Sequence, residues 1–180
     1  MEKEIIQVHD KFFKPFISEA QILEQVARIA DEMNRELAHK DPIFLGILNG
    51  AFMFASDLFK QLSFPCQITF LKLASYSGTQ STGSVKQLIG INMELKGRVV
   101  VVLEDIVDTG VTLETILMQL SGFQPADIQV ATFLHKPEAT VREVKLNYVG
   151  MEIPNDFILG YGLDYDGYGR NFKEIYQLVE

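Results

Sequence analysis

Apolar residues at Ile22, Leu23, Val26, Ile29, Ala30, Met33 and Leu37 recur at spacings of three and four, the period of one buried helical face. Ser18 and Gln21 stand just ahead of them at capping-box spacing, so an amphipathic helix is predicted from there. Asp41-Pro42 ends the segment, because the residue before a proline is pushed out of the helical region. IFLGILN follows, β-branched-rich and too short for a buried helix; it reads as a buried strand, and GAFMFASDLFKQL after it as a helix. CQITFLKLA and SVKQLIG look like strands flanking SYSGTQSTG, whose Ser, Thr and Gly content predicts a mobile excursion between them. Val99 to Leu103 is an unbroken apolar run, hence a buried strand. TLETILMQLSGF has helical spacing and ends near Gly122, before Pro125 and the strand-like IQVATFLH. NYVGMEIP, FILGYGLDYDGYG and FKEIYQLV read as short strands with glycine-rich turns.

Strands alternating with helices predict an α/β fold, a mostly parallel sheet with helices on both faces. With 180 residues, 47% of them hydrophobic, and no shift in composition along the chain, residues 1–180 are expected to form one domain. The formal net charge of -8 argues against a nucleic-acid or membrane-surface partner, since both present phosphates that call for positive charge. A phosphorylated small molecule is not excluded, because backbone amides and a divalent cation can hold it without any basic excess. Cys66 is the one cysteine, so neither an internal disulfide nor a paired-cysteine zinc site can form, and a small buried apolar role is expected. MEKEIIQVHD lacks an apolar run of signal-peptide length and no apolar stretch reaches the ~18 residues of a membrane span, so a cytoplasmic protein is expected. His9, His39 and His135 are too dispersed for a metal triad and are read as structural or surface residues.

The chemistry concentrates in LEDIVDTGVT. In open α/β sheets the carboxyl ends of strands form the ligand crevice, and Glu104 and Asp105 stand at such an end. From Asp108 onward a tight loop enters a helix, with hydroxyls on Thr109 and Thr112 and close backbone approach at Gly110. Free N–H groups at a helix N-terminus attract phosphate. Acids for sugar hydroxyls beside amides for a phosphate describe a ribose-phosphate site; the plainer alternative is a helix cap with a solvated turn. Competing nucleotide motifs are absent in strict form, with no G-x-x-x-x-G-K-[ST] and no G-x-G-x-x-G in GYGLDYDGYG.

LEDIVDTGVT resembles the phosphoribosyl-diphosphate loop of type I phosphoribosyltransferases. Together with SYSGTQSTG, FLHKP and FILGYGLDYDGYGR, in the family's order from Phe44 to Arg170, it is similar to the hypoxanthine-guanine branch. The resemblance implies a parallel-sheet core with a small hood made from terminal segments. It also implies transfer of ribose 5-phosphate from phosphoribosyl diphosphate to N9 of a 6-oxopurine. By matching position, Glu104 and Asp105 would hold the ribose hydroxyls, and Thr109, Gly110, Val111 and Thr112 the 5-phosphate. Asp108 would be the general base at purine N7 and Lys136 would donate to the 6-oxo group. Phe157 would stack on the base, with backbone groups of Ile158 at its pyrimidine edge. Asp164 would meet Mg2+, with Glu104 and Asp105 as further metal-site carboxylates, and Arg170 would meet pyrophosphate; Asp166 competes with Asp164 for the metal role. Amides of Leu48, Asn49 and Gly50 would contact pyrophosphate across a cis peptide between Leu48 and Asn49, and Ser75 and Tyr76 would open a loop that closes over both substrates.

The chain departs from the family's habits at Asn49 and Val111, where lysine is often found, and at Asp156, where some members carry lysine near the base. The family also implies a homodimer or homotetramer. Two alternatives stay open: a type I transferase for xanthine or another base, and a regulator of the same fold that binds phosphoribosyl diphosphate without turnover. The regulator would be expected to carry a basic face, which 16 Lys+Arg against 24 Asp+Glu does not suggest.

Overall fold

Apolar periodicity becomes structure in a computed structural model that describes residues 4–74 and 86–179. In chain order the elements are β1 (Ile6–Val8), β2 (Lys11–Ile17), α1 (Glu19–Leu37), β3 (Ile43–Leu48), α2 (Phe52–Phe59), β4 (Gln67–Ala74) and β5 (Lys86–Ile89). Then come β6 (Val99–Val107), α3 (Val111–Ser121), β7 (Asp127–His135), a 3-10 turn over Pro137–Ala139, β8 (Tyr148–Glu152), β9 (Ile158–Leu159) and β10 (Ile175–Leu178). SYSGTQSTG, with Ser75 and Tyr76, lies outside the described residues.

The main sheet has the order β5-β4-β3-β6-β7-β8, parallel throughout except for the antiparallel edge strand β5. Both faces are covered, which is why its central strands are apolar without alternation. On one face Ile22, Val26, Ile29 and Met33 of α1 and Phe54 and Leu58 of α2 share a core with Phe44, Val101, Leu103 and Phe133. On the other, Leu113, Ile116 and Leu120 of α3 pack with Ile43, Leu45, Val100 and Val102. Successive valines of β6 thus feed opposite cores. The chain leaves β3 towards β4 and leaves β6 towards β7, so the strand order reverses between β3 and β6 and their trailing loops diverge. That divergence opens a crevice at the carboxyl edge.

A second, antiparallel sheet, β1-β2-β10-β9, joins the two ends of the chain and forms the hood, with Val8, Phe13 and Leu159 as its small core. The β1–β2 hairpin has no counterpart among the predicted elements. Its strands are short, lysines and Pro15 interrupt them, and they gain their pairing from β10 at the other end of the chain. The strand predicted to end at Leu103 continues to Val107, because Glu104, Ile106 and Val107 stay in register with Thr132, Leu134 and His135 of β7. Charge on a side chain does not interrupt a backbone ladder. Among the described residues no helix is long and apolar enough to cross a membrane.

The capping box forms as the spacing requires: Ser18 Oγ accepts from the Gln21 N–H at 3.4 Å, and Gln21 Oε1 accepts from the Ser18 N–H at 3.0 Å. Ser18→Ala is expected to cost about 1 kcal/mol and to lower Tm by roughly 2–4 °C. Calorimetry checks this, and an unchanged Tm would mean that α1 is held by packing alone.

Candidate active site

The last residues of β6 carry the two carboxylates into a cavity of about 240 Å³, lined also by Ile47, Thr109, Thr112 and Leu113. Burial raises the Asp105 carboxyl to about 6, with Asp164 pushing the same way while the Ile106 N–H (2.9 Å to Oδ1) and the Arg170 charge pull it down. Glu104, buried beside it, is held well above the usual carboxylate range by desolvation and then by the charge on Asp105. A side chain at Gly50 would overlap the Asp105 carboxylate, and one at Gly162 (φ 98°) would overlap the Gly50 carbonyl. Three segments therefore meet through glycine at this point: the loop after β3, the end of β6 and the loop after β9. The peptide joining Leu48 to Asn49 is cis, where the resemblance placed it.

Beyond β6, Gly110 takes φ 80° and its Cα lies against the Arg142 carbonyl, so a side chain there would collide. Gly110, at the N-cap of α3, brings no side chain to it; Thr109 Oγ1 accepts from the Val111 N–H at 3.4 Å, and Thr109, Gly110 and Thr112 line the cavity. Residues 136–142 strap this loop from outside. Lys136 N–H donates to the Val107 carbonyl (3.0 Å), and the N–H groups of Val141 and Arg142 both donate to the Thr109 carbonyl (3.0 and 2.9 Å). The strap sets Lys136, only 7% exposed, with Nζ 3.4 Å from Asp108 Oδ2. Thr140, which the sequence analysis did not single out, donates its hydroxyl to the Lys136 carbonyl (3.2 Å) and lies 3.3 Å from His135 Nε2. A threonine four residues after a turn lysine is the available signal, since such hydroxyls bond back to the i−4 carbonyl. His135 also faces Glu152 (3.7 Å), which gives its ring a structural setting.

The glycine-rich loop is built of nested tight turns. Asp166 and Gly167, with φ 49° and 83°, form a two-residue turn bridged by Tyr165 and Tyr168. Asp166 is thereby a turn residue. Asp164 accepts from the Gly167 N–H (2.7 Å) and pairs with Arg170 (2.6 Å), whose other nitrogen donates to the Gly162 carbonyl (2.6 Å). It is Asp164 whose charge reaches Asp105. Among the described residues no three His, Cys, Asp or Glu side chains come together as a metal cage. Asp164 sits on the hood loop, drawn to Arg170, while Glu104 and Asp105 are successive strand residues. That spread suits Mg2+, which takes one or two carboxylates and completes its shell with waters and substrate phosphates. Phe157 is 45% exposed at the hood's rim, whereas the Ile158 side chain is buried. β9 is an edge strand, so one side of the Ile158 backbone has no strand partner.

The family model for the phosphoribosyl transferase domain matches residues 18–166. A hypoxanthine-guanine phosphoribosyltransferase of Lactococcus lactis is 37% identical over 90% of this chain and 88% of its own length. One of Mycobacterium avium is 39% identical over 87% and 79%. This chain belongs to that family. Solved structures agree: a hypoxanthine phosphoribosyltransferase of Staphylococcus aureus matches with a TM-score of 0.87 at 32% identity, covering 92% of this chain and 91% of that one. A hypoxanthine-guanine phosphoribosyltransferase of Bacillus anthracis matches with a TM-score of 0.85 at 34% identity, covering 93% and 97%.

In this phosphoribosyltransferase Val111, 46% exposed at the first position of α3, brings no charge to the start of that helix. Asp156 accepts from the Gln177 side chain at 2.6 Å, which ties it to β10.

The folded protein holds the Asp105 proton more tightly than the unfolded chain does, so this group withdraws stability as pH rises from 3.8 through about 6. Asp105→Asn keeps an acceptor for the Ile106 N–H and removes the charge. In metal-free buffer at pH 8 it is expected to stabilise the ligand-free protein by about 1–3 kcal/mol, raising Tm by roughly 3–8 °C, with the gain vanishing near pH 4. Equal Tm values for variant and parent at pH 8 would show that the buried charge is already compensated.

Proposed function

We propose that this phosphoribosyltransferase moves ribose 5-phosphate from phosphoribosyl diphosphate to N9 of hypoxanthine or guanine, giving IMP or GMP and pyrophosphate. The observation that carries the reading is the Lys136–Asp108 pair, 3.4 Å apart, in which Asp108 lines the acidic cavity. O6 and N7 of a 6-oxopurine are neighbouring atoms on one edge of the ring. An ammonium and a carboxylate side by side match that edge, the lysine donating to O6 and Asp108 accepting the N7 proton. Adenine offers an amino group where Lys136 needs an acceptor, so its donor would meet another donor.

The other roles follow from position. Glu104 and Asp105 receive the ribose hydroxyls, and the start of α3, Thr109 to Thr112, receives the 5-phosphate. Phe157 stacks on the base, backbone groups of Ile158 meet its pyrimidine edge, and Arg170 turns from Asp164 towards pyrophosphate with the amides of Leu48, Asn49 and Gly50. Asp164, with Glu104 and Asp105 nearby, would hold Mg2+, which when bound neutralises charge on the diphosphate leaving group. A cytoplasmic location suits a phosphorylated substrate, and a homodimer or homotetramer is the assembly that the family suggests.

Purified protein with Mg2+, phosphoribosyl diphosphate and one base at a time is expected to form nucleotide with hypoxanthine and guanine and little with adenine. Equal turnover of adenine would remove the Lys136 assignment, and binding of phosphoribosyl diphosphate without turnover would favour the regulator. Asp108→Asn is expected to lower kcat by about 10²-fold or more while leaving phosphoribosyl-diphosphate affinity nearly intact. Stopped-flow measurement of the chemical step, with a separate binding titration, distinguishes loss of the base from loss of the site.

A further inference from the structure

The ring proposed to stack on the purine does not stand alone. Phe157 meets Tyr165 at 5.8 Å with the two planes at 86°, and Phe13 at 6.2 Å and 44°. Tyr165 is in turn held from the opposite end of the chain. Its hydroxyl donates to Asp10 Oδ1 at 2.8 Å, Lys11 Nζ lies 5.5 Å from its ring centre, and His9 meets it edge-on at 5.7 Å. Phe13 packs against it at 6.2 Å. All four of these partners belong to the β1–β2 hairpin or its turn, a segment that lends no residue to the cavity.

A perpendicular aromatic contact constrains the plane of a ring. Phe157, nearly half exposed, leaves part of its ring open to a ligand. Its plane matters because a stacked purine inherits it, and Lys136 and Asp108 can address O6 and N7 only if those atoms lie in the right plane. We propose that Tyr165, anchored to the N-terminal hairpin by Asp10, is a positioning residue that sets the Phe157 ring plane and so aligns the 6-oxopurine with Lys136 and Asp108. The bond to Asp10 lowers that carboxyl's pKa and raises that of the phenol, the signature of an ionised acid accepting from a neutral hydroxyl. This inference rests on the stacking role proposed for Phe157.

Steady-state kinetics on the full chain tests it. Tyr165→Leu removes the perpendicular ring and is expected to raise KM for hypoxanthine about 5-fold. KM for phosphoribosyl diphosphate and the Mg2+ concentration for half-maximal rate should stay within about twofold, although Asp164 is the adjacent residue. Tyr165→Phe keeps the ring and should recover most of the loss. Asp10→Ala, at an exposed turn where folding is not at stake, should raise the hypoxanthine KM about 2-fold and decides the matter if Tyr165→Leu unfolds. An unchanged hypoxanthine KM in Tyr165→Leu, or an equal rise for both substrates, overturns the proposal. Phe157→Ala separates the two readings: if it leaves the hypoxanthine KM alone, the stacking role itself falls. If it raises that KM and Tyr165→Leu does not, only the positioning role falls.

Discussion

Two adjacent carboxylates are held at the end of a central strand where water is scarce, and the rest of the site is arranged around that charge. Glu104 and Asp105 have little to neutralise them within the main sheet, and desolvation drives both towards protonation. The compensation comes from outside the sheet. Arg170, on the loop after β9, is a cation whose field reaches Asp105; Gly162 lets its loop close on the Gly50 backbone, and Gly50 leaves room for the Asp105 carboxylate. Such an arrangement is unfavourable in the empty protein and useful to a ligand that brings hydroxyl donors and a metal ion. The strain is electrostatic and is relieved by binding, which is how a site retains affinity for a polyanion without a basic surface.

The second element is the strap of residues 136–142. It holds the Asp108 loop by backbone bonds to Val107 and Thr109, and in doing so buries a lysine against an aspartate. A buried lysine needs an acceptor, and in the ligand-free protein Asp108 is the one at hand. In the proposed function the same two groups would face a carbonyl oxygen and a ring N–H of the 6-oxopurine, with the ion pair replaced by bonds of matching polarity. The basic residues missing at Asn49 and Val111 weigh less in such a design, because the groups proposed to meet phosphate there are amides, which every residue type other than proline supplies.

The hood completes the base side from both ends of the chain. β9 is short and lies at a sheet edge, yet it places Phe157 and Ile158 because β10 pins it on one side and the aromatic cluster around Tyr165 supports it on another. Small sheets with a core as slight as Val8, Phe13 and Leu159 gain order from such side-chain contacts.

Much of this was legible along the chain. The periodicity from Ile22 to Leu37, the Ser18–Gln21 box and the apolar runs of β3, β6 and β7 are local patterns, and local patterns specify helices and buried strands because the backbone and one apolar face decide them. The acidic loop and glycine-rich loop were legible too, since their spacing resembles a family, and with them the residues offered for each role. What tertiary structure alone decided depends on residues distant in sequence meeting in space. The β1–β2 hairpin is tied to β10, Thr140 meets Lys136 and His135, and Asp164 reaches Arg170 and the field of Asp105 while Asp166 sits in a left-handed turn. Local chemistry writes the elements and names the reactive groups; which groups share a cavity, and at what charge, is set by packing that no single stretch of sequence contains.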